Sequence, residues 1–159
     1  MAAEFELTDE MQAVVGVESD PWPVEITTTS IRAFARGVGY TDRRYFEAGA
    51  DGSLPAPPCY LGTPVWIPGE SDATFSGPRN TGPGVRHGLK GLLDGGTEVV
   101  YERPLKAGDK LLMTSKVSGL EVKESKGLGK MLVVTSEQTF TEQDSGDVVM
   151  RTYAQAIFY

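Results

Sequence analysis

Cysteine and histidine are almost missing from this chain. Among 159 residues there is one of each, Cys59 and His87. A single cysteine excludes a disulfide framework within the chain and fits a reducing cytoplasm. No His or Cys spacing suggests a metal site. Positive charge is also scarce: 15 Lys and Arg stand against 22 Asp and Glu, a net charge of -7. That balance leaves no basic stripe for nucleic acid and disfavours an anionic membrane surface. It does not exclude a small anionic ligand, which a local cluster of cations could hold. No apolar run is long enough to span a membrane. Residues 1–10 are acidic and lack the basic and apolar regions of a signal peptide. No glycine-rich loop with its lysine is present to cradle a phosphate.

The chain shows no internal repeat and no linker, so one domain over residues 1–159 is expected, long enough to bury a sizeable core. Its two halves differ. The first, residues 1–96, is rich in Gly and Pro and holds one clear helix. That helix begins near Thr28 to Ser30, where a hydroxyl can cap free N–H groups. Ile31, Phe34, Ala35 and Val38 then make one apolar face, and Gly37 and Gly39 end it. A second apolar stretch, residues 56–67, opens among prolines and reads as a helix, although Pro64 sits inside it. Residues 68–92 read as a long loop.

The second half, residues 97–159, reads almost wholly as strand. Strands are expected at 97–103, 110–124, 131–141 and 148–158, with turns at 104–109, 127–130 and 144–147. Turns this close together imply hairpins and an antiparallel meander. Helices followed by strands read as α+β. One strongly curved antiparallel sheet would wrap a buried central helix at 56–67, the apolar segment with fewest charges.

Three stretches in order carry a resemblance: IRAFARGVGYTDRRYFEAGA (31–50), LPAPPCYL (54–61) and DGGTEVVYERPLKAGDKL (94–111). Together they resemble the MaoC-like N-terminal dehydratase family, the hot-dog domain that is similar to the dehydratase region of fungal fatty acid synthase and to (R)-specific enoyl-CoA hydratases. The first resembles the family's helix and the loop after it. The second resembles the proline-rich approach to the central hot-dog helix, and the third the family's strand, proline and Gly-Asp turn. The resemblance implies a single α+β hot-dog domain that handles acyl thioesters, with acyl-CoA or an acyl-carrier thioester as substrate and no further cofactor.

Hydration of an enoyl thioester needs a base to activate water, a proton for the neighbouring carbon, and donors for the thioester oxygen. Catalytic members of the wider family place an Asp and a His five residues apart in the loop after the first helix. The matching positions here are Tyr40 and Tyr45. A phenol, with an ordinary pKa near ~10, replaces neither group at neutral pH. Asp42 is either a shifted base or an Asx turn closing the loop. His87, within Arg86-His87-Gly88, is either a site residue or a solvent-facing loop histidine. Aligned by the Pro104 turn, the family's His-Gly-Gly histidine falls on Asp94, which also suits a turn into the strand. Cys59 is read as a small filler on a buried helix rather than a nucleophile. Arg43, Arg44, Arg79, Arg86 and Lys90 could meet coenzyme A phosphates or simply be solvated. Tyr60, Trp66 and Phe75 could line an acyl tunnel or pack the core.

The leading expectation is a non-catalytic hot-dog half that pairs with a catalytic MaoC-like half. It would bind acyl-CoA and shape the acyl pocket of an (R)-specific enoyl-CoA hydratase. Two alternatives are a self-sufficient homodimeric hydratase or thioesterase using Asp42, Asp51, Asp94 or His87, and an acyl-CoA-binding module without chemistry.

Overall fold

The computed structural model describes residues 5–60 and 83–159. A short helix, α1 (Asp9–Ala13), is capped by Thr8, whose side chain accepts from the Met11 N–H. Strand β1 (Trp22–Glu25) follows, then helix α2 (Thr28–Gly37). The cap of α2 is a reciprocal pair. Thr27 Oγ1 accepts from Ser30 N at 3.1 Å, and Ser30 Oγ accepts from Thr27 N at 3.2 Å. Ile31 and Ala35 are fully buried, as the apolar spacing requires. The helix ends where Gly39 takes φ 81° and Tyr40 N reaches back to Ala35 O at 2.9 Å.

The remainder is sheet: β2 (Leu92–Tyr101), β3 (Lys110–Ser125), β4 (Gly129–Glu142) and β5 (Val148–Phe158). The strand order is β1-β3-β4-β5-β2, and every named pair is antiparallel. Register slips at Asp94/Gly96, Val117/Gly119 and Phe140/Thr141 mark bulges. A bulge bends its strand and adds twist, which curves the sheet. On the inner face Leu111, Met113, Phe140 and Met150 meet Ile26, Ile31, Leu54, Tyr60 and Leu105 in one buried cluster.

Three expectations need correction. The meander holds only for β3, β4 and β5. The 104–109 turn does not fold β2 onto β3, because β2 lies at the opposite edge beside β5. Instead that turn is bound to earlier chain: Ala56 N to Leu105 O, Ala107 N to Leu54 O and Gly108 N to Ile26 O, each within 2.9 Å. Secondly, Asp94 to Gly96 is not a turn before the strand but a bulge inside it, so β2 starts at Leu92 rather than Thr97. Thirdly, residues 56–60 are not helical. Pro55 bridges Lys106, and the chain then turns, with Tyr60 N bonded to Pro57 O at 2.9 Å. The expected burial does hold there, since Ala56, Pro57 and Tyr60 are enclosed. Residues 61–67 of the expected helix lie outside the described residues, as do 68–82 of the expected loop.

Candidate acyl-thioester site

The loop after α2 brings the two dyad positions into contact. The rings of Tyr40 and Tyr45 lie edge to face, 5.0 Å between centroids. Tyr45 is buried, and the Arg44 guanidinium sits 5.0 Å from its ring centre. Tyr40 Oη is 3.4 Å from Cys59 Sγ. This contact, followed by partial desolvation, raises the Tyr40 phenol above its ordinary value. The loop therefore places two phenols side by side at these positions.

Asp42 has a different task. Its Oδ1 accepts from Arg44 N at 3.0 Å and caps the 3-10 turn Arg43–Tyr45, while Oδ2 pairs with Arg44 Nε at 2.8 Å. This is the Asx turn, and it satisfies a backbone donor and a neighbouring cation. Arg43 is held by Glu47 through contacts of 2.8 to 3.1 Å. Asp51 accepts from both N and Oγ of Ser53, and these bonds hold its carboxyl below the ordinary range. Asp94 Oδ1 accepts from Gly96 N at 2.8 Å within the bulge. Each carboxylate weighed as a base thus has a local hydrogen-bond partner.

Cys59 is exposed, not a filler on a buried helix, because residues 57–60 turn and leave it outward. Tyr60 beside it is 1% exposed. Its hydroxyl donates to Ser30 Oγ at 2.7 Å, its ring meets Phe34 edge-on at 5.4 Å, and burial pushes its pKa up. It is a core residue that ties residues 56–60 to α2. Trp66, Phe75 and Arg79 lie outside the described residues.

His87 does have a cavity. The segment 83–87 lies over the inner face of the sheet and, with it, borders a half-open hollow of about 340 Å³ lined by His87, Val134, Ser136, Gln138 and Phe158 among others. The imidazole lies 4.0 Å from the Phe158 ring centre, and its Nδ1 accepts from Leu89 N at 3.1 Å. Desolvation lowers its pKa, so it is neutral at pH 7. Arg86 lines a separate hollow with Glu10, Met11 and Val14. Ser136 and Gln138 escaped the sequence reading because they look like ordinary strand residues. The available signal was their alternation with Val134 and Phe140, which puts polar groups on the buried face. Among the described residues no cluster of three or more His, Cys, Asp or Glu is arranged to hold a metal. None of their helices is long and apolar enough to cross a membrane.

An antiparallel sheet curved over a buried face gives the chain the hot-dog fold of the MaoC-like dehydratases. The chain belongs to the family described as FAS1-like, dehydratase domain region, whose model matches residues 13–152. Among solved structures it is similar to the C-terminally truncated HadBC (3R-hydroxyacyl-ACP dehydratase) complex from Mycobacterium tuberculosis. There the identity is 21% and the TM-score 0.63, over 91% of this chain and 96% of that one. The ChsH1-ChsH2 complex from Mycobacterium tuberculosis matches at 16% identity and TM-score 0.70, over 96% and 97%. R-hydratase PhaJ1 from Pseudomonas aeruginosa matches at 16% and 0.54, over 91% and 81%. No curated protein matches by sequence.

Proposed function

We propose that this chain is the non-catalytic half of a MaoC-like (R)-specific enoyl-CoA hydratase. It binds acyl-CoA, shapes the acyl pocket, and relies on a second hot-dog subunit for the acid and base. The observation that carries this reading is the Tyr40–Tyr45 pair at 5.0 Å in the loop where the family's catalytic members hold Asp and His. The neighbouring carboxylate, Asp42, is taken up as a cap. The similarity to two solved complexes, HadBC and ChsH1-ChsH2, supports a paired assembly. The long edge strand β2, with Leu92, Leu93 and Val100 exposed, is the surface for the joint.

The test is hydration of a panel of enoyl-CoA thioesters by the chain alone and co-expressed with a hot-dog subunit that carries the Asp and His. The chain alone should run roughly two to four orders of magnitude below the pair, the usual cost of a missing acid or base. In the pair, Tyr40→Phe and Tyr45→Phe should change the rate by less than about threefold, whereas replacing the partner's Asp or His should abolish it.

The cavity at His87 favours a second reading, a self-sufficient hydratase. Robust turnover by the isolated chain, lost in His87→Ala or Asp42→Asn, would install that reading in place of the first.

A further inference from the structure

The cavity under segment 83–87 has apolar walls that include Val85, Val134 and Phe158, and five polar residues on its lining, His87, Ser115, Lys116, Ser136 and Gln138; Lys116 is already paired with Glu18 and Glu137. Two of these have an orientation fixed by their neighbours. Gln138 Oε1 accepts from Thr152 Oγ1 at 3.2 Å, which leaves the NH₂ group as its other end. His87 Nδ1 accepts from Leu89 N at 3.1 Å, so the neutral ring carries its proton on Nε2. Among the described residues neither the Gln138 NH₂ nor the His87 Nε2–H has a hydrogen-bond partner. Both are donors. A hydroxyl that can give or accept, Ser136, lies on the same lining.

We propose that this cavity takes the far end of an acyl chain bearing an oxygen acceptor, a ketone or a hydroxyl, in preference to a plain alkyl tail. A plain tail would displace water from two donors and give them nothing in return, which costs binding. A ketone oxygen offers such a donor a partner, and the valine and phenylalanine walls take the methylenes beside it. At about 340 Å³ the cavity is at the small end of ligand pockets and holds the end of a chain, not a whole coenzyme A thioester. The inference rests on the acyl-thioester reading above and adds the kind of acyl group.

Titration calorimetry tests it with two probes, octanoyl-CoA and its counterpart bearing a ketone one carbon from the chain end. Wild-type protein should bind the ketone form about tenfold more tightly, which is what one to two neutral hydrogen bonds supply. In Gln138→Leu and in His87→Phe that ratio should fall to about threefold or less, with octanoyl-CoA affinity kept or raised because a donor it leaves unpaired is gone. Gln138→Leu removes the acceptor for the buried Thr152 hydroxyl. Should it fail to fold, His87→Phe, which keeps a ring on Phe158, decides the matter. Equal wild-type affinity for both probes, or an unchanged ratio in folded variants, overturns the inference and leaves the acyl-thioester reading standing. Binding of neither probe overturns both.

Discussion

Tyr60 shows how one side chain can link two segments. Its ring fills the core, and its hydroxyl donates to Ser30, the same residue that completes the α2 cap. Ser30 keeps its bonds to Thr27 if the tyrosine hydroxyl is removed, so Tyr60→Phe leaves one bond unmade and no buried donor stranded. The expected loss is about 1 kcal/mol, or roughly 2–4 °C in Tm for a chain of this size, measured by calorimetry. A loss above about 3 kcal/mol would mean that the hydroxyl holds more than this cap. The loop tyrosines obey different physics. Tyr40 and Tyr45 contact each other edge to face, and their rings pack the loop.

At the scale of elements, the crossover between β2 and β3 depends on a small ionic cluster. Arg103 grips Asp109 through Nη1–Oδ2 at 2.8 Å and Nη2–Oδ1 at 3.2 Å, and it also binds Glu142 at the end of β4. The Asp109 side chain is 5% exposed and accepts from Lys106 N as well. The two carboxylates hold the guanidinium pKa above its ordinary value, Asp109 most of all. Arg103→Met would leave a buried carboxylate without its cation, which typically costs about 3 kcal/mol. Chemical denaturation should show that loss, and the double variant Arg103→Met with Asp109→Asn should recover part of it. If the single variant is neutral, the Lys106 N–H alone suffices for Asp109.

The strands in the chain's second half were legible because alternation and turn chemistry act locally. β3, β4 and β5 lie within a few residues of where pattern alone places them. The crossover was not legible. A Gly-Asp turn reads as a hairpin unless one knows that residues 54–56 and Ile26 occupy its backbone groups, and those partners are far away in sequence. β1 was missed because four residues, one of them Pro23, carry too little pattern. The bulge at Gly95 and Gly96 hid the start of β2, since glycines signal a turn more often than a strand. Here Gly95 has a packing reason: a Cβ there would come within 2.8 Å of Gln155 Cβ on β5. For the site, the tyrosines at positions 40 and 45 could be read directly from the sequence. The His87 cavity could not, because it depends on β4 and β5 meeting a segment roughly fifty to seventy residues earlier.

At the scale of the molecule, the sheet has two edges of unequal character. The β1 edge is four residues long and contains a proline, two features that discourage further strand pairing. The β2 edge is ten residues long, has no proline, and exposes Leu92 at 61%, Leu93 at 44% and Val100 at 41%. A free strand of this kind invites another strand, and in a paired hydratase it is where a second hot-dog sheet would join. The net charge of -7 opposes contact between two identical acidic chains only weakly at physiological salt, where repulsion is screened within about 8 Å. The expected species at micromolar concentration is therefore a dimer, or a heterodimer when the partner is supplied, as read by sedimentation velocity. Leu92→Lys combined with Val100→Lys adds charge to the β2 edge without touching the buried cluster. It should yield a folded monomer whose Tm falls by no more than the loss of assembly accounts for, and whose co-expressed pair loses hydratase activity. If the wild-type chain is strictly monomeric and no hot-dog partner binds it, the β2 edge is not a joint. If the lysine variant still dimerises, the joint lies elsewhere on the surface, and the loop holding Tyr40 and Tyr45 would then have to be placed against a partner from a different side.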